Sequence, residues 1–157
     1  MTTYTASRGL SGVEPVFHAG GAVAVYSTFA LTAALTSGDK VILLSVPQYS
    51  TMIDTILSTD TLDTGTSGGI AFDVGDSASS TRYISNVKTA ASASLAPTHM
   101  NVAAGLGFQV NTATTQTQLV LTVHASPATG ATSGNIYFAA VYSNDAITAT
   151  SDGSEIP

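Results

Sequence analysis

Of 157 residues, only four are Lys or Arg and ten are Asp or Glu. This scarcity of charge limits what the chain can fold into more than any motif does. Val, Ile, Leu, Phe and Tyr are set among Ser, Thr, Ala and Gly, the makings of a β-sheet protein whose surface is covered. A free monomer usually keeps roughly a quarter of its residues charged. With 9% charged and a positive mean hydropathy, much of the surface is expected to lie against neighbouring chains.

The hydrophobic pattern divides the chain into short strands. Val23, Val25, Ser27, Phe29, Leu31 and Ala33 alternate with smaller or polar partners, the period of two that a half-buried strand requires. Ser37-Gly38-Asp39 turns the chain. Residues 41–46 form a continuous β-branched-rich run that Pro47 stops, and a second run follows over 52–57. Ile70, Phe72 and Val74 alternate in another strand. Residues 77–94 break the pattern, and the spacing of Tyr83, Ile84 and Val87 predicts a short helix or an irregular crossing that caps a sheet edge. Later strands are expected over 106–110, 118–125 and 135–143, the last apolar on both faces as in an interior strand. The reading is therefore all-β: a jelly-roll-like β-sandwich of about eight antiparallel strands.

Three segments are expected. Residues 1–21 contain Gly9, Gly12, Pro15, Gly20 and Gly21 and read as an extended N-terminal arm. Residues 22–147 form the β-sandwich domain, and 148–157 a polar C-terminal tail. Roughly 150 residues bury about two-thirds of the surface of the unfolded chain, so a domain of this size folds without a metal or disulfide. No cysteine is present to form one. The opening residues lack a basic head followed by an apolar stretch, so synthesis in a cytoplasm without a secretory signal is expected. The longest apolar runs, 41–44 and 136–142, are far shorter than the roughly 20 residues of a membrane-spanning helix. Net charge is −6, and Arg8, Lys40, Arg82 and Lys88 are scattered. Nucleic-acid binding rests on clustered cations, so it is not expected.

Candidate chemistry is sparse. Asp63-Thr64-Gly65 matches the aspartic-protease tripeptide, but one copy supplies one carboxylate, and the tripeptide reads as a turn chosen for Asp and Gly geometry. Asp60, Asp63, Asp73 and Asp76 gather near adjacent strand ends, a weak calcium candidate weighed against turn acids that cap backbone N–H groups. His18, His99 and His124 are widely separated and offer no zinc pair. There is no cysteine nucleophile, no Gly-x-Ser-x-Gly elbow and no phosphate-cradling loop, so the chain is not expected to be an enzyme or to need a cofactor. Six Tyr, at 4, 26, 49, 83, 137 and 142, are spread singly without a Trp. They read as core or interface packing, with a glycan platform as the alternative.

One stretch carries a resemblance. Ser27-Thr28-Phe29-Ala30-Leu31-Thr32, Ser37-Gly38-Asp39, Val41-Ile42-Leu43-Leu44 with Val46-Pro47, residues 53–62 with Asp63-Thr64-Gly65, and Phe72-Asp73-Val74-Gly75-Asp76 with Arg82-Tyr83-Ile84 together resemble head decoration, or cement, proteins of tailed bacteriophages. The likeness spans residues 22–90. It implies a jelly-roll subunit, commonly trimeric, on the outer surface of an icosahedral head, where it binds major capsid subunits. On that reading Tyr4, Arg8, Leu10, Val13, Val16 and Phe17 are the expected contacts to shell or neighbour. Ile136, Phe138 and Tyr142 are expected in the core or at the subunit interface. Deleting residues 1–16 is expected to weaken attachment without unfolding the domain. The rival from another class is a receptor- or glycan-binding β-module of a phage tail or head fibre.

Overall fold

The computed structural model describes residues 1–8, 21–65, 69–88, 97–110 and 116–144. Within them lie nine strands: β1 (Thr3–Arg8), β2 (Ala22–Ala30), β3 (Lys40–Val46), β4 (Ser50–Thr59), β5 (Ala71–Gly75), β6 (Ile84–Val87), β7 (Thr98–His99), β8 (Thr117–Ala125) and β9 (Asn135–Asn144). Sheet one has the order β1-β3-β8-β5-β6, and sheet two the order β2-β9-β4-β7. β2 pairs with β9, β3 with β8, β4 with β7 and β5 with β6, each antiparallel. This is one long hairpin whose successive strand pairs alternate between two sheets, closed by β4 against β9 and β5 against β8. The winding is that of a jelly roll.

Alternation builds the core. In β2, Val23, Val25, Ser27 and Phe29 turn inward while Ala22, Ala24, Tyr26 and Ala30 face out. Sheet one contributes Val41, Leu119, Leu121, Val123, Phe72 and Val74, all fully buried, and sheet two contributes Met52, Leu57, Ile136, Phe138, Ala140 and Tyr142. Each such large side chain supplies about 1.5–3 kcal/mol of transfer free energy. The continuous apolar run in β3 has a structural cause: its register against β8 shifts between Ile42 and Leu44, and the extra residue lets Leu43 and Leu44 both be buried. A similar shift between Met52 and Asp54 in β4 leaves Ile53 exposed.

Several expectations change. Thr3–Arg8, placed in the arm, is the edge strand of sheet one and the parallel member of an otherwise antiparallel architecture. It is held there by Lys40 N–H donating to the Thr2 carbonyl at 2.8 Å and by Thr2 N–H donating to Asp39 at 2.8 Å. Ile84–Val87 is a strand, not a helix. Tyr83 and Ile84 are both fully buried, and Asn86 adopts a positive φ of 50° that no helix accommodates. The strand expected over 106–110 is mostly a 3-10 turn, Ala103–Gly105, followed by Gly107 at φ +71°, with a single bridge from Gln109 to Thr51. Residues 9–20 of the expected arm and 145–157, which include the tail, lie outside the described residues.

Candidate interaction surface

The four aspartates of the calcium candidate do not converge. Among the described residues, no three His, Asp or Glu side chains come together as a metal-holding group. Asp63 is buried at the junction of two loops, and its oxygens accept from five backbone N–H groups: Gly65, Gly69, Ile70, Ala128 and Thr129, at 2.5–3.1 Å. Burial alone would raise its pKa. The N–H groups of Thr129, Ala128, Gly65 and Gly69 outweigh that and hold it well below the usual carboxylate range. The Asp-Thr-Gly tripeptide is thus a loop staple with its oxygens already committed.

Asp60 accepts from the backbone and side-chain amides of Asn135, at 2.8 and 2.9 Å. Asp73 accepts from Asn86 N–H at 2.7 Å and meets His124 Nδ1 at 2.9 Å. Asp76 takes Arg82 Nε at 2.6 Å, Ala78 and Ser79 N–H at 2.9 Å, and the Tyr83 hydroxyl at 3.2 Å. Burial opposes ionisation of Asp76, but Arg82 and the two N–H groups win and lower its pKa. The Tyr83 hydroxyl is pushed well above its ordinary range by burial and by the Asp76 charge beside it. The Arg82 guanidinium also lies 3.9 Å over the Phe108 ring. These carboxylates fix loops and strand ends.

What remains for function is surface, and the two outer faces of the sandwich differ. The outer face of sheet one is polar: Lys40, Gln118 and Thr122 line a cleft of about 400 Å³ together with Ser77, Ser80 and Val120. The outer face of sheet two is apolar. The register places Tyr26 beside Ala139 and Ala139 beside Ile56, with Thr28, Tyr137 and Ser58 forming the next row and Ala24 beside Val141 in the row before. Tyr26 is 70% exposed and Tyr137 42%. With Ile56, Ser58, Pro97 and Ala139 they line a shallow cleft of about 170 Å³. Its ionisable residues stand at the border, where His99 Nδ1 meets Asp54 at 2.6 Å and Tyr137 O–H reaches Asp60 at 3.5 Å. Burial disfavours the Asp54 charge, but His99 and the N–H groups of Met100 and Thr55 lower its pKa.

The residues singled out in the sequence divide accordingly. Ile136, Phe138 and Tyr142 are buried in the chain's own core, from the central strand β9. Tyr4 is half-buried, its ring 5.5 Å from that of Phe29 within the same subunit. Arg8 ends β1, opposite Leu44. Leu10, Val13, Val16, Phe17 and His18 lie outside the described residues. Tyr26, Ile56, Tyr137 and Ala139 were not singled out as a surface. The signal was present in the outward positions of 22–30 and 135–143, which hold Ala, Tyr, Thr and Val and no charge.

No family model and no curated protein matches this chain. Among solved structures, it is similar to a chain of the cyanophage Pam1 capsid asymmetric unit. That match has 25% sequence identity, covers 86% of this chain and 94% of that one, and has a TM-score of 0.71. It is also similar to a chain of the capsid of Ralstonia phage GP4, at 20% identity over 91% of this chain and 98% of that one, with a TM-score of 0.80. The second likeness is one of fold. In structure the chain is related to phage capsid proteins.

Proposed function

We propose that this chain is a non-enzymatic structural protein of a phage virion, a decoration or cement protein on the outer surface of the assembled head. It stabilises the shell by bridging major capsid subunits, acts as a homotrimer and is made in the host cytoplasm. The observation that carries this reading is an uncharged apolar sheet face with two exposed tyrosines, on a fold shared with chains of two phage capsids. Exposed patches of this kind mark contact with other proteins. The acids that a catalytic or metal centre would draw on are instead bonded to loop N–H groups and to Arg82.

Cementing works by multivalency. A closed trimer presents three equivalent contacts, and binding several shell subunits at once turns modest affinities into durable attachment. Leu10, Val13, Val16 and Phe17 are the proposed arm contacts to the shell, and 148–157 remains a candidate tail. The test is to add purified chain to heads that lack it. Saturating attachment with a rise in the temperature at which heads rupture is expected. Heads that neither retain the chain nor gain stability from it would refute the proposal.

A further inference from the structure

We infer that copies of this chain meet one another through the outer face of sheet two, around Tyr26, Ile56, Tyr137 and Ala139. The inference rests on the decoration reading and assigns its subunit contact. Three strands about 4.8 Å apart and some seven residues at about 3.4 Å each give the face an area on the order of 300–400 Å². That is the size of the buried centre of a protein interface, which is depleted of charge and enriched in Tyr, within a polar rim. The rim is here: Thr28, Ser58 and Ser143 flank the apolar rows, and the Asp54–His99 pair closes one side.

Charge argues for a second copy as the occupant. The chain carries a net charge of −6, so two copies repel wherever their acids face one another in a desolvated contact. The rows centred on Tyr26-Ala139-Ile56 hold no ionised side chain. By contrast, the outer face of sheet one presents Lys40, Asp76 and His124. The neutral face also carries both halves of a fit, since a ring standing 70% exposed borders a cleft lined by Ile56, Pro97 and Tyr137.

Tyr26→Arg and Ala139→Arg test the assignment, because both positions point outward and each substitution places a cation where two copies would meet. Sedimentation should give the native chain as an oligomer and each folded variant as a 15.8 kDa monomer, with weaker but detectable attachment to heads. Hydroxyl-radical footprinting of the unaltered chain supplies a second readout that needs no variant: Tyr26 and Tyr137 should be protected in the oligomer and reactive on dilution. A native chain that stays monomeric, variants that keep the native mass, or tyrosines equally reactive in both states would overturn the inference. Variants that remain oligomeric but no longer attach would place this face against the shell, which sinks the inference and leaves the decoration reading standing. A native oligomer broken by these variants that never attaches to heads would do the reverse.

Discussion

Asp63 accepts hydrogen bonds from two loops that the sequence sets more than 60 residues apart, which makes it the joint between the turn after β4 and the turn after β8. Replacing it with Asn removes the charge and points an amide N–H₂ at backbone donors. Hydrogen bonds to charged groups are each worth about 1.5–3 kcal/mol, so Asp63→Asn should cost about 2–4 kcal/mol in urea unfolding, with no effect on the far-UV spectrum of the folded state. Asp39, Asp54, Asp63 and Asp76 all ionise more readily in the folded chain. Between their folded and unfolded pKa values the unfolded chain therefore binds more protons. The stability they supply is complete above about pH 4 and drains as pH falls below it. Unfolding midpoints should be level from neutral pH to about pH 5 and drop steeply below pH 4, and less steeply in Asp63→Asn. Gly75 illustrates another constraint: a Cβ there would lie 1.9 Å from the Ser79 carbonyl oxygen. Gly75→Ala should therefore lose about 3 kcal/mol through overpacking, measurable as a lower melting temperature. The sequence marked Asp63 and Gly65 as a turn. It could not show that Ala128 and Thr129 complete the site, because nothing local records a contact made across the sandwich.

At the scale of elements, β9 is where the sequence was most legible. Its apolar residues on both sides predicted an interior strand, and it lies between β2 and β4. The alternation also separates two roles within the one strand. Phe138 is buried, so Phe138→Ala should cost about 3–5 kcal/mol. Tyr137 faces outward, so Tyr137→Ser should leave monomer stability within about 0.5 kcal/mol while weakening association. Equal losses in the two variants would contradict this division. β1 and β7 were not legible. Residues 3–8 lack a hydrophobic period of their own and are extended because β3 offers a parallel edge, while β7 is two residues long and exists through its pairing with Leu57 and Ile56. Tertiary partners, not local preference, make both strands. Truncating residues 1–16 therefore removes the Tyr4–Phe29 contact and the Thr2–Asp39 tether along with the arm. A fall in thermal stability is expected, in contrast to the clean loss of attachment that the sequence implied.

The whole molecule is a sandwich with one wet face and one dry one. Low charge predicted an occupied surface but not which surface, because assigning residues to faces requires the register, and the bulge at Ile53 shifts that register by one residue. With the register in hand, the neutral face falls on β2, β9 and β4, and the acids concentrate in the loops and at strand ends. This division of labour suits a subunit that joins its own copies on one side and a larger assembly on others. The copy number of the chain in purified virions tests the account most directly, counted against the major capsid protein by mass spectrometry and located by imaging. The account predicts a fixed ratio amounting to hundreds of copies, all on the outside of the head. A handful of copies confined to a tail or fibre, or none in the particle, would contradict it.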